Sequence, residues 1–282
     1  MILEVKIGVI MKYTNSEVIH KKIGEIQILQ YYALLEFDKE IEHCFTLKHG
    51  GYSKGNYANF NLGLNTNDSL QIVKKNYQLL CDNTQFCYYN IFRGEQVHSD
   101  NVIFVDQENK GVLENNIQIQ CDGSITNIST IPLITNCADC MTILIYDTVN
   151  KYIASIHAGW QGVLNNIVVK GIQKMITRFN CNVNNMIVCI SPHICTSCFE
   201  VMQDVKEKFE KEFFCSDLIY NKDKEHYNID LEEILVRNLL TSGIKKKNIH
   251  SAHICNKCNI EDFYSYRENA DTGRMAFGIM LK

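Results

Sequence analysis

Three apolar extended runs, residues 131–135, 141–146 and 153–156, follow one another with no helical stretch between them. They restrict the fold more than any other part of the chain, because three successive extended runs without a helix between them call for sheet structure. The first two flank the tight segment NCADC, and the third ends in IASIHAGWQG. Only then does the period change. Leu164, Ile167, Val168, Ile172, Met175, Ile176 and Phe179 fall on one helical stripe. Extended runs are also expected over 26–29, 44–47, 90–105, 117–126 and 186–190, with HSDN breaking the run 90–105. The Gly- and Asn-rich loop 54–67 leads to Asp68, which reads as the cap of a helix ending near Cys81, with Gln71 at the capping-box position. Residues 199–214 read as a charged helix. Asp230 with Glu233 opens another helix, for which Gly243 is well placed as the residue after the last turn. Strands and helices mix without strict alternation. The expected fold class is therefore α/β of the layered α+β type, with mixed β-sheets flanked by helices. No repeat, Gly/Ser linker or Pro-rich hinge cuts the chain into independent domains.

Net charge is -4 and no long basic run occurs, which disfavours sequence-independent nucleic-acid binding. No apolar run approaches the roughly 20 residues of a membrane span, and the start, MILEVKIGVIMKY, lacks the features of a signal peptide. A cytoplasmic, reducing location is expected. The 13 cysteines, an odd number, are then thiols and not a disulfide framework.

Three polar groups end or interrupt apolar extended runs: His98 in EQVHSD, Cys140 in NCADC and His157 in SIHAGW. Two imidazoles and a thiolate suit zinc and leave a fourth position for water, whose pKa the metal lowers toward ~7. Asp139 stands beside the thiolate as a candidate ligand orienter or proton acceptor. The same residues would also serve metal-free chemistry, with Cys140 as nucleophile and a histidine as base. Taken alone, the spacings of 42 and 17 residues are not diagnostic, and an isolated His or Cys is more often a core residue. Two C-x-x-C pairs, Cys195 with Cys198 and Cys255 with Cys258, raise a four-thiolate zinc site. Their separation of 57 residues exceeds that of a zinc ribbon, so chance pairs are the expectation. Ser53, Lys54 and Gly55 form a loop able to offer N–H groups to an anion. Arg267 and Arg274 flank a glycine-containing turn and could pair with an oxyanion.

The segments GGYSKGNYANFNLGLNTND, EQVHSDNV, CDGSITN, NCADCMTILIYD, IASIHAGWQG, ISPHICTSCFEV and FYSYRENADTGRMA occur here in one order. In that order they resemble the laccase-domain or polyphenol oxidase family, now regarded as purine nucleoside phosphorylases. The resemblance spans about residues 42–282. Residues 1–41 contribute no motif and are expected to form an N-terminal extension packed on the domain. The resemblance implies the single-domain layered fold of a cytotoxic deamidase toxin's catalytic domain and a zinc ion on His98, Cys140 and His157. It implies phosphorolysis of adenosine, inosine, guanosine and S-methyl-5′-thioadenosine, with phosphate as co-substrate, and hydrolytic deamination of adenosine. Asp139 would then move a proton, and Ser53, Asn61, Arg267 and Arg274 would contact substrate. A monomer or homodimer is expected, with no nucleic-acid or membrane partner. A metal-free Cys-His amide hydrolase and a copper-dependent phenol oxidase are the alternatives. Copper is disfavoured because one His/Cys cluster does not supply several copper centres. Two positions depart from the family's pattern: Gln161 and Glu268 stand where arginines are usual. If those arginines hold phosphate, phosphorolysis is weakened here and deamination less so. Trp160 is expected chiefly to wedge its loop into the core.

Overall fold

The computed structural model describes residues 11–111, 113 and 118–282. The first ten residues, which carry most of the apolar start, and Ile117, at the head of the expected run 117–126, lie outside the described residues. Fourteen strands form three sheets among the described residues. The first sheet joins β1 (Val18–Ile23), β2 (Ile26–Tyr31), β3 (Ile41–Thr46) and two strands from later in the chain. These are β6 (Leu133–Cys137) and β14 (Met275–Leu281), in the order β1-β2-β3-β14-β6.

The second sheet holds β4 (Val102–Phe104), β5 (Gly123–Thr126), β7 (Met141–Asp147), β8 (Tyr152–Ala158), β9 (Met186–Ile190) and β13 (Ile249–Ser251). Its order is β13-β9-β7-β8-β5-β4, and it is mixed. The β9–β13 and β4–β5 pairs are parallel and the others antiparallel. A small third sheet pairs β10 (Glu200–Met202) and β11 (Ile219–Asn221) on either side of β12 (His226–Ile229).

Period-two alternation explains the layering. On β7, Met141, Ile143 and Ile145 enter one core cluster while Leu144 and Tyr146 enter another. On β14, Phe277 and Ile279 face the second sheet's core while Ala276 and Met280 face the cluster under helix Leu70–Asn83. The two large sheets thus pack face to face. Helix Leu70–Asn83 covers one outer face, and helices Ile167–Phe179 and Leu231–Thr241 cover the other. Both sheets are buried on two sides, so their strands read as continuous apolar runs. Each fully buried Phe or Ile contributes roughly 1.5–3 kcal/mol. The result is an α/β fold with mixed sheets flanked by helices. Among the described residues no helix is long and apolar enough to cross a membrane.

Several boundaries differ from expectation. The stripe 164–179 is two helices, Trp160–Leu164 and Ile167–Phe179, because Asn166 takes a left-handed conformation (φ 56°) between them. Residues 199–214 are not one helix: β10 precedes helix Gln203–Glu212, since Glu200 pairs across to Asn228. Asp68 does not cap a helix. Ser69 occupies that place, while Asp68 Oδ2 accepts from the Ser53 hydroxyl and the Asn61 amide. The Asp230 side chain does accept the Glu233 N–H, and Gly243 follows the last turn at φ 96°.

Candidate active site

Strands β5, β8 and β7 are neighbours, and their ends deliver the expected residues to one place. Gly123 of β5 faces Ile156 of β8, and Thr142 of β7 faces His157. Cys140 directly precedes β7, and Asp122 directly precedes β5. The His157 N–H donates to the Asp122 carbonyl at 2.6 Å, and its Nδ1 stands 2.9 Å from Asp122 Oδ1. The Asp122 carboxylate also accepts from the backbone N–H groups of Val97, His98 and Ser99 and from the Ser99 hydroxyl. One carboxylate therefore ties both histidine-bearing segments together.

His98 Nε2 lies 3.9 Å from Cys140 Sγ, and the His98 and His157 rings stand 4.9 Å apart at 82°. The ligand atoms of His98, Cys140 and His157 lie within 4.8 Å of one another, the arrangement three donors take about one ion. Asp122 occupies Nδ1 of His157, leaving Nε2 to ligate; such a carboxylate–histidine pairing fixes ring orientation at metal sites. A Cβ on Gly159 would come within 2.8 Å of His98 Cδ2 and 3.1 Å of Cys140 Sγ, so only glycine fits beside the cluster. His98 and Asp139 hold positive φ, 59° and 89°, a region that few non-glycine residues adopt.

Charge is shared across the cluster. Burial opposes ionisation of Cys140, yet the two imidazoles outweigh it and lower the thiol. Burial likewise disfavours the His157 cation, but Cys140 and Asp122 together raise its pKa. Asp122 is penalised by burial and still drops to about 2, because His157 and Ser99 bond its charged form. A thiolate between two imidazoles is the state a soft divalent cation requires.

The cluster opens into a cavity of about 500 Å³ whose lining includes Arg93, Arg267 and Arg274. Arg267 Nη1 donates to the carbonyls of Cys198 and Glu200, and its guanidinium lies over the Phe199 ring. Arg274 Nη1 donates to the carbonyls of Thr272 and Gly273. Arg93 is buried, with Nε on Asn136 Oδ1 at 2.9 Å. Asp139 lines the same cavity. Its Oδ2 accepts from the Ser265 hydroxyl and the Arg267 N–H, while Oδ1 is buried without a partner. Burial raises its pKa. Trp160 lines the cavity and also packs against the outer core cluster.

Two of the expected substrate contacts stand apart from the cavity lining. Ser53 and Asn61 are buried outside the lining, their polar atoms committed within the protein. Ser53 Oγ donates to Asp68 and accepts from Asn76. Asn61 Oδ1 accepts the N–H groups of Gly63 and Arg274, so it positions the Arg274 backbone. The departures at Gln161 and Glu268 also lie outside the lining. Gln161 is exposed on helix Trp160–Leu164, and Glu268 pairs on the surface with Lys257 at 2.7 Å. The cations facing the cavity are instead Arg93, Arg267 and Arg274. Sequence reasoning missed Asp122 and Arg93; the motif CDGSITN contained the first without revealing its role.

A family model described as multi-copper polyphenol oxidoreductase laccase matches residues 42–282. The chain belongs to this family. It is 30% identical to a purine nucleoside phosphorylase of Bacteroides thetaiotaomicron over 90% of this chain and 96% of that relative. It is 28% identical to the purine nucleoside phosphorylase YlmD of Bacillus subtilis, over 87% of this chain and 90% of that one. In fold it is similar to YlmD from Geobacillus stearothermophilus (TM-score 0.87, 24% identity, covering 94% of this chain and 99% of that one). The Bacillus licheniformis protein YfiH gives a TM-score of 0.86 at 24% identity, covering 93% and 99% of the two chains.

Proposed function

We propose that the cavity phosphorolyses purine nucleosides (adenosine, inosine, guanosine and S-methyl-5′-thioadenosine) to free base and sugar 1-phosphate, and deaminates adenosine hydrolytically. The observation that carries this reading is the meeting of the His98–Cys140–His157 cluster with three guanidinium groups in one cavity. The relatives named purine nucleoside phosphorylases support the substrate class.

The cluster fits a zinc ion. It offers two imidazoles and a thiolate, Asp122 orients one ring from behind, and Gly159 keeps a side chain away. Bound there, zinc would supply a Lewis acid and a water of lowered pKa. The chain's own residues do the remaining work. Arg93, Arg267 and Arg274 offer N–H donors to phosphate, forked guanidinium groups being suited to such oxyanions. Asp139, buried and raised in pKa, holds a proton more readily than an exposed aspartate and can exchange it with the purine. Phe199, Trp160 and Tyr266 give the lining flat apolar surface for a base and exclude water from it.

Mass-spectrometric product analysis of adenosine and inosine, with and without phosphate, tests this. Ribose 1-phosphate should appear only with phosphate, and inosine should form from adenosine without it. Metal-loaded protein that turns over neither nucleoside refutes the reading.

The lowered Cys140 thiol beside two imidazoles also suits a metal-free nucleophile in an amide hydrolase. Full activity after exhaustive chelation would favour that alternative. Copper-dependent phenol oxidation ranks below both, because the described residues offer a single histidine-bearing metal cluster.

A further inference from the structure

A second cluster of ligating side chains lies outside the groups used above. Cys195, Cys198, Cys255 and Cys258 place their four Sγ atoms within 4.8 Å of one another. We propose that these four thiolates bind a structural zinc ion that clamps together two loops at the cavity's rim.

The fold explains how pairs 57 residues apart meet. Strands β9 and β13 are parallel neighbours, with Ser251 beside Ile190, so the loops that follow them leave the sheet side by side. The loops then bond directly. The His193 N–H donates to the Ile254 carbonyl at 3.0 Å, and the Asn256 N–H donates to the His193 carbonyl at 3.1 Å. Cys195 and Cys198 ride on the first loop, Cys255 and Cys258 on the second. The expectation of chance pairs assumed a local zinc ribbon; parallel strand pairing removes the need for short spacing.

The sulfur geometry matches one tetrahedral ion. Cys258 Sγ lies 3.5 Å from Cys198 Sγ and 4.0 Å from Cys195 Sγ. Four thiolates at ~2.3 Å from a shared zinc would stand about 3.8 Å apart. A disulfide needs its sulfurs at ~2.0 Å, and all 13 cysteines are free thiols. Cys255 Sγ accepts from the N–H groups of Cys195 (3.3 Å) and Cys258 (3.4 Å), as an anionic sulfur does. None of the four is a buried member of a core cluster; Cys198 alone packs against one from outside. Three are half-buried and Cys258 is exposed, whereas Cys44 and Cys189 are buried among apolar side chains. Four sulfurs so close, facing one another near the surface, would as thiolates carry a charge that a bound cation balances. With four protein ligands the site is closed, which marks a structural ion.

The clamp bears on the cavity. The carbonyl of Cys198 accepts from Arg267 Nη1, and the next residue, Phe199, lies under that guanidinium. Both Phe199 and Arg267 line the cavity. Loading the cysteine site therefore fixes the loop against which Arg267 is held.

The test uses the full chain, purified anaerobically with thiols reduced, and a variant carrying His98→Ala and His157→Ala. Zinc is counted by mass spectrometry in both, and cobalt(II) is then substituted into the variant. The proposal expects the variant to keep one zinc per chain. Its cobalt form should show the strong visible bands and sulfur-to-metal charge transfer of a tetrahedral tetrathiolate. Cys195→Ser with Cys258→Ser should lose that ion while the histidine-bearing cluster is intact. A folded histidine variant without stoichiometric metal overturns the proposal, as does a cobalt spectrum lacking four-sulfur character. Loss of zinc from the histidine cluster alone would bear on the proposed activity and leave the cysteine site unaffected.

Discussion

Oδ1 of Asp122 lies 2.9 Å from Nδ1 of His157, and the same oxygen accepts the backbone N–H of His98 at 3.1 Å. A single carboxylate oxygen thus serves both histidines of the candidate metal cluster. Replacing Asp122 by Asn puts an amide donor among groups that need an acceptor. Zinc affinity should fall by about 10- to 100-fold, the usual effect of removing an orienting carboxylate. Competition with a chromogenic chelator measures it, and unchanged affinity would show that Asp122 does not orient the ligands.

Gly159→Ala tests the tight approach at the cluster. The new methyl would meet His98 Cδ2 and Cys140 Sγ, so one of them must move. Activity should drop by roughly 10²-fold, as expected for a displacement of about 1 Å at reacting groups. The denaturation midpoint should change little, since the site lies at the cavity edge. Wild-type turnover in the alanine variant would sink the assigned geometry.

Phosphate handling is separable from water chemistry. Arg274→Lys removes a planar fork and keeps a charge, so the KM for phosphate should rise by at least ~10-fold. Phosphate-free deamination of adenosine should change far less. An equal loss in both reactions would mean that Arg274 supports the site and does not hold the anion.

Gln161 faces solvent outside the cavity. Restoring arginine there should alter phosphorolysis by no more than about twofold, the range of ordinary surface substitutions. A large gain in phosphate-dependent turnover for Gln161→Arg would instead bring that position into the site.

Acid stability should report on His43. It is buried on β3, and its Nε2 accepts the Tyr31 N–H at 2.8 Å. Burial, with Lys21 and Lys282 adding repulsion, pushes its pKa down to about 3. An unfolded histidine binds its proton near ~6.5. Between those values the unfolded chain holds the extra proton, so stability falls as pH drops, by up to ~1.4 kcal/mol per pH unit. His43→Gln retains an acceptor without titrating. Its stability, followed by urea denaturation from about pH 6 to pH 4, should decline less steeply than that of the wild type. Parallel curves would exclude His43 as a source of acid sensitivity.

Legibility from sequence followed the range of the interactions involved. The strand run 141–146 and the helix cap at Asp230 depend on near neighbours and were readable. The strand β10 was not, because Glu200 pairs with Asn228 through tertiary contact. Asp68 carried a helix-start signal that the structure overrides, since Ser53 and Asn61 claim its carboxylate. The residues His98, Cys140 and His157 stood out because each interrupts an apolar run. Their convergence needed the pairing of β5, β8 and β7, which no local spacing encodes. Asp122 stayed hidden because an aspartate before a glycine reads as a turn residue, and its partner is 35 residues away. The four cysteines show the same limit: their meeting depends on the β9–β13 register.

Strand β14, residues 275–281, lies between β3 and β6 and is synthesised after every other described strand. On the ribosome the first sheet therefore waits without the strand that joins β6 to β3, and β3 exposes an unpaired edge until β14 emerges. A nascent chain in that state carries the aggregation hazard of open strand edges. Deleting Met275–Leu281 would thus part β6 from the three strands β1, β2 and β3 instead of trimming the sheet's margin.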